Sequence, residues 1–596
     1  MLRKKNNISI LKAFKVLLPM YIKAAPFKVV MSVILGFLLG FNIFAKAIAT
    51  QIFFDSATNL SNGTILINST ILAGLFLAFI FILSDILSVT SSVLNSYLFE
   101  KTAGYITNFI NRKVSKIESI NFESSERLDD INKAHQGVMG GIYLISITIM
   151  ILTTYTVYFV FMGMYLYKLN TILILALFCV FIPVILNQFI RVKIFSKLED
   201  KSANLRREFD YYEKCIIDRE YFKETRLLGA FNYFNAKYKT SLKALNKAIW
   251  VAEKKVNLLE LLMKIITIIG YGIILFLLFT SLMNNKISVG AFGAVLSSII
   301  VMFGITEEII CFKLASIATN FGAVQNLIKF LEIEERTGID IDLDVAPSVT
   351  LENVSFTYPC NEKETLKNIN LKVNSKETIA IIGENGSGKT TLMKLILGLY
   401  LPTEGDVFLN GNNTKDISFD SIFKNSSAIF QNFKKYKFDL RDNIAISSMN
   451  TETDDTKIKE CLGKVDIDLN SNNLNLNTML SKEFGGIDLS GGQWQRIAIA
   501  RGLYRVNNLI ILDEPTAAID PIEEGEIFKK FREIAKDKTA IIVTHRMGTV
   551  KIADRVVVLE SGQICEIGTH EEILQKNGKY REMYNAQSKW YELNSQ

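Results

Sequence analysis

Proline is scarce, with 8 in 596 residues, and no Ser/Gly or Gln/Asn tract interrupts the chain, which excludes long disordered linkers. Cysteine is also sparse. The six cysteines lie far apart without a C-x-x-C pair, so neither a disulfide framework nor a zinc site is indicated. No charge of one sign dominates: 67 basic against 60 acidic residues leaves a net +7, unlike the strongly basic balance of a dedicated nucleic-acid binder. No repeat of roughly 20 to 50 residues is present, which argues against a solenoid. What the chain has instead is apolar bulk. Hydrophobic residues make up 49%, high for a water-soluble protein, and the length exceeds what one core can organise. Part of the chain should sit in lipid.

Residues 1–23 contain Arg3, Lys4, Lys5, Lys12, Lys15 and Lys23 and no acidic residue, with apolar side chains leaning to one helical face. This pattern predicts an amphipathic elbow helix on a membrane surface. A secretory signal is disfavoured, because no short apolar core followed by a small-residue cleavage site precedes Phe27. Six apolar stretches, near 27–53, 71–97, 142–166, 171–192, 261–283 and 290–313, are each long enough to cross a bilayer, which takes about 20 helical residues. The connectors 98–141 and 193–260 are long, polar and helical in pattern, so the spanning helices should continue beyond the membrane. Residues 55–70 lack lysine and arginine, whereas the long connectors are rich in both, so both termini and both long connectors are expected in the cytoplasm.

Beyond Ser348 the character changes to short β-rich runs alternating with helical segments, as in an α/β nucleotide-binding domain. The expected division is an elbow helix at 1–23, a transmembrane domain at 24–336, an acidic linker at 337–347 and an α/β domain at 348–596.

The apolar strand Ile379 to Ile382 runs into Gly383, Glu384, Asn385, Gly386, Ser387, Gly388, Lys389 and Thr390, a full match to G-x-x-x-x-G-K-[ST]. Glycines let the backbone wrap a phosphate, amides at the next helix N-terminus point at it, Lys389 reaches the β/γ oxygens and the Thr390 hydroxyl suits Mg²⁺. A second aliphatic run, Leu509 to Leu512, ends in Asp513 and Glu514. Two carboxylates there fit the ligand edge of an open sheet: Asp513 to organise Mg²⁺ and Glu514 to polarise the attacking water. A solvated acidic pair is the alternative, but acids after four aliphatic residues are costly without a cation or water.

Leu489, Ser490, Gly491, Gly492 and Gln493 precede a helical pattern, and here the sequence resembles the ATP-binding cassette (ABC) family, of which L-S-G-G-Q is the signature. The resemblance implies that Tyr358 stacks on adenine, that Gln431 senses Mg²⁺ and the attacking water, that Asp520 lies in a loop crossing a dimer and that His545 contacts the γ-phosphate. Thr391 joins the ATP-binding set beside Thr390. Lys482 to Gly486 is similar to the family's Glu-x-Gly run without being identical. Six spans followed by one cassette look like a half-transporter of the exporter type. The implied fold is an all-α, six-helix, type IV exporter-like membrane domain fused to an α/β P-loop ABC domain.

Such proteins act as dimers with two ATP molecules held between one chain's Lys389 loop and the other chain's Ser490. A homodimer is expected here, because both half-sites are intact. Segments 123–133 and 211–223 stand where the family has coupling helices. ATP binding would drive an inward-to-outward switch and hydrolysis would reset it. Runs 430–438 and 485–496 look like the bacterial subgroup that exports lantibiotic and related modified peptides, with multidrug or lipid export the second reading. A membrane sensor switched by ATP binding alone is a third, disfavoured by the presence of Glu514 and His545. No peptidase region is expected before the spans. Intramembrane charges mark substrate contacts by default, which makes Asp85, Glu307 and Glu308 candidates, with Lys46 as a further intramembrane charge. Adjacent helical residues diverge by about 100°, so at most one of Glu307 and Glu308 should face a cavity.

Overall fold

The computed structural model describes residues 8–218, 220–341, 345–359, 361–448, 452–469, 474–514 and 531–593. The chain divides into two compact units: Met1–Arg112 with Asp130–Ile333, and Lys113–Asp129 with Glu334–Gln596.

The first unit is helical. Helix α1 (Ile10–Ala24) starts at Ser9, whose side chain accepts from the Lys12 amide, and buries Ala13, Leu17 and Tyr21 along one face. Then come α2 (Pro26–Ser61) and α3 (Ile67–Val114), followed by α4 (Ser125–Met150), which continues through a π-helical turn (Ile151–Tyr155) into α5 (Thr156–Leu169). After α6 (Thr171–Ile217) and the short α7 (Phe222–Leu227) come α8 (Phe231–Met283) and α9 (Val289–Glu307). A second π-helical turn (Glu308–Leu314) leads into α10 (Ala315–Leu331).

Every expected span falls within these helical runs, 142–166 and 290–313 continuing through the π-helical turns. Among the described residues, five helical stretches are long and apolar enough to cross a membrane. The remaining expected span, 171–192, lies in α6, where many side chains fall outside the described residues. Apolar side chains such as Phe27, Leu72 and Ile268 are strongly exposed, which suits lipid rather than water. The 53 residues of α8 extend about 80 Å at 1.5 Å per residue, far more than a hydrocarbon layer of about 30 Å, so the helix continues well past the membrane as its polar first half requires.

Tight packing comes from small residues. A Cβ at Gly36 would meet the Thr153 hydroxyl at 2.2 Å, and one at Gly40 the Thr154 carbonyl at 2.3 Å, so this G-x-x-x-G face lets α2 close on the first π-helical turn. At the far end of α2, Asp55 accepts from the Gly290 amide at 2.8 Å and from the Ser288 hydroxyl at 2.9 Å, which satisfies the start of α9.

Among the described residues the second unit has ten strands: β1 (Val349–Phe356), β2 (Leu366–Val373), β3 (Thr378–Gly383), β4 (Glu404–Leu409), β5 (Asn412–Asn413), β6 (Ser426–Ile429), β7 (Leu509–Asp513), β8 (Thr539–Val543), β9 (Arg555–Glu560) and β10 (Gln563–Gly568). They form an antiparallel sheet ordered β2-β1-β4-β5 and a six-stranded sheet ordered β10-β9-β3-β8-β7-β6. In the latter, β9, β3, β8, β7 and β6 are parallel and β10 is an antiparallel edge. All residues of β7 and β8 are buried, as in a parallel sheet covered on both faces.

Within this unit the first connector's turn, Ser119–Glu123, places Glu123 beside Lys394 and Tyr400: Lys394 donates to it at 3.0 Å and the Tyr400 hydroxyl also donates. The break in that connector, between Val114 and Ser125, starts ahead of the expected 123–133 segment and overlaps its first two residues. In the second connector α6 runs to Ile217, and the next short helix is α7.

Candidate active site

Strand register sets the site. Ile381 of β3 and Asp513 of β7 are each paired with Val543 of β8, and Ile429 of β6 is paired with Leu512, so four strand ends lie at one level. The chain after each end supplies one part: the phosphate loop after β3, Gln431 after β6, Glu514 after β7 and His545 after β8. This is the carboxyl edge where open parallel sheets bind ligands.

The loop is shaped by close approach. A Cβ at Gly383 would meet the Leu559 carbonyl at 2.2 Å; one at Gly388, which has φ +102°, would meet the Leu366 side chain at 2.7 Å. Lys389 is almost fully buried and donates to the carbonyls of Gly383 and Glu384, both at 2.9 Å. Burial pushes its ammonium pKa down, while the carboxylates of Glu514 and Asp513 act to raise it. Ser387 Oγ is buried without a hydrogen-bond partner, an orphan that an arriving phosphate oxygen would satisfy. The Tyr358 hydroxyl lies 3.0 Å from Thr391 Oγ1 on the helix Lys389–Ile396, and its ring stands edge-on to Phe356 and Tyr400.

Thr390 donates to Asp513 at 3.3 Å. Asp513 is 3% exposed, and burial pushes its carboxyl pKa up. A hydroxyl beside a buried carboxylate fits a divalent cation. Gln431 turns elsewhere: its amide donates to Glu514 at 2.7 Å. On the other oxygen, Glu514 meets His545 Nδ1 at 2.9 Å. Glu514 holds φ +46°, uncommon for a side chain of its size, and its amide donates to the Val543 carbonyl. The three residues expected to be catalytic therefore form one contiguous cluster.

Ser490 caps the helix Gly491–Tyr504. Its hydroxyl accepts from the Gln493 amide at 3.2 Å, and the Gln493 side chain accepts from the Ser490 amide at 2.9 Å, a reciprocal capping box. A Cβ at Gly491 would meet nothing within 4 Å. Trp494 anchors the helix beneath. Asp520 lies outside the described residues.

Two contributors carry no sequence signal. Lys579, on the helix Lys579–Leu593, meets Glu384 of the phosphate loop at 2.8 Å, and Gln587 of the same helix donates to the His545 carbonyl.

The subtilin transport ATP-binding protein SpaT of Bacillus subtilis is 33% identical to this chain over 516 residues, covering 85% of the chain and 83% of that protein. The chain belongs to the ABC transporter family. This ABC transporter is also 30% identical over 554 residues to the nisin transport ATP-binding protein NisT of Lactococcus lactis, covering 89% and 90%. Residues 366–517 match the family model for ABC transporters. A solved structure of a bacterial Atm1-family ABC exporter with ATP bound superposes with a TM-score of 0.74, at 19% identity, over 94% of this chain and 99% of that one. The ABC transporter thus has the exporter fold, several membrane-crossing helices and an ATP-binding ATPase domain coupled to transport.

Proposed function

We infer that two copies of this chain form a homodimer in a bacterial plasma membrane, with both termini cytoplasmic, and export a modified peptide at the expense of ATP. Support for the cargo comes from similarity to subtilin and nisin transport proteins over most of the chain. The hydrolytic reading rests on a single observation, the Gln431, Glu514 and His545 cluster beside Asp513 and Lys389.

In this reading Tyr358 stacks on adenine. The amides of Asn385 to Thr391, with Ser387 Oγ, wrap the phosphates, and Lys389 exchanges its two carbonyl partners for phosphate oxygens. Thr390 and Asp513, with Gln431 near, would hold a Mg²⁺ ion, which would supply charge neutralisation at the phosphate oxygens. Glu514 takes the proton of the attacking water. His545 and Gln431 hold its two oxygens, fixing the carboxylate's direction until nucleotide arrives. Ser490 to Gln493 of one copy face the γ-phosphate bound by the other, with Asp520 in the crossing loop. Closure favours the outward-facing state only as far as ATP binds the closed dimer better than the open one. The turn at Glu123 links the first connector to Lys394 and Tyr400, next to the adenine side.

The test is Glu514→Gln in purified, lipid-reconstituted protein. ATP turnover should fall roughly a hundredfold or more, while ATP binding persists and a closed dimer accumulates. Turnover at the wild-type rate would remove the base assignment.

A further inference from the structure

The membrane unit contains an open cavity of about 1070 Å³. Its walls are not uniformly apolar. Along α3, Ser84, Ser88, Ser92 and Ser96 line it at four-residue spacing, one polar stripe on one helical face. From the same helix Ile82, Ile86, Val89 and Val93 are exposed apolar residues, suited to lipid. The stripe is about 18 Å long at 1.5 Å per residue, matching about five residues of an extended peptide.

The charges in this cavity are not equivalent. Glu308 pairs with Lys313 at 3.0 Å and accepts from the Tyr155 hydroxyl at 3.0 Å, so its charge is already met within the chain. Lys46 lies over the Phe81 ring, 4.9 Å from its centre. Glu307 does not line the cavity; it faces Lys264 at 3.8 Å. Asp85 lines the cavity within the same stripe, and among the described residues it has neither an ion pair nor a hydrogen bond. A lone carboxylate at membrane depth is costly, and the cost falls when a cation binds beside it.

We propose that Asp85 is the charge-selecting residue of the cargo site, receiving an ammonium or guanidinium group of a peptide whose backbone lies along the serine stripe of α3. This rests on the peptide-export reading. It narrows that reading to a segment with positive charge and assigns the selection to Asp85 rather than to Glu307 or Glu308.

The experiment uses full-length protein in proteoliposomes and blocked hexapeptides identical except for Lys, Gln or Glu at one position. The ATPase stimulation curve is measured for each. For the wild type, the half-stimulating concentration of the Lys peptide should lie at least about tenfold below that of the Gln peptide. Asp85→Asn should erase the preference, Asp85→Glu should retain it, and Glu307→Gln should leave it intact. Equal response to all three charges, or a Lys preference surviving in Asp85→Asn, overturns the assignment and leaves peptide export standing. No stimulation by any peptide, with ATP still hydrolysed, overturns both.

Discussion

The phosphate loop and the signature helix are both glycine-rich, yet their glycines answer to different neighbours. At Gly383 and Gly388 the chain's own backbone and side chains leave no room for a Cβ, whereas the space around Gly491 is empty. The loop is completed by intrachain packing. The signature helix is finished internally by its capping box and still presents an open face, which suits a surface that meets another molecule. In the proposed reading, glycine at the first site serves folding and binding together, and at the second it serves what docks there.

This contrast can be broken in order of effect. Lys389→Ala should abolish measurable binding of a fluorescent ATP analogue while the protein remains folded, because the buried ammonium is the loop's only lysine. Gly388→Ala should lower Tm in the absence of nucleotide, costing more than about 1 kcal/mol since both φ and space forbid it. Gly491→Ala should leave the nucleotide-free Tm unchanged within about 2 °C, with ATPase turnover falling roughly tenfold. If Gly491→Ala destabilised the isolated chain as Gly388→Ala does, the distinction would be lost.

The smallest effect belongs to Glu123. Its carboxyl pKa is lowered, first by the hydrogen bond from Tyr400 and then by Lys394. The contact therefore contributes its full stability above the ordinary carboxylate range and loses it only as pH falls through the lowered value. Glu123→Gln should show the same small Tm deficit, about 1 °C, at pH 6 and pH 8, narrowing below about pH 4. Cargo-stimulated ATPase should drop roughly threefold with basal activity near normal.

Much of the cassette was legible because its chemistry is local. An aliphatic strand ending in a glycine loop or an acidic pair announces its place, and β3 and β7 fall within a residue or two of the runs read from sequence. Strands β2 and β10 carry a weaker signal, because Asn, Lys and Glu interrupt their apolar pattern. Distances through space carried no such signal. Sequence periodicity stated that Glu307 and Glu308 could not share a direction; the π-helical turn beginning at Glu308 decides which one reaches Tyr155. Likewise the pairing of Gln431 with Glu514 depends on β6 lying beside β7, a neighbour relation across 83 residues of chain.

The last long helix touches the ATP pocket twice, through Lys579 on the phosphate loop and Gln587 on the His545 carbonyl. Whatever is fused to or trimmed from that helix acts on the phosphate loop and on the segment carrying His545. Affinity tags for enzymology therefore belong at the opposite terminus, and truncation series from the tail will read out as changes in ATP turnover before they read out as misfolding.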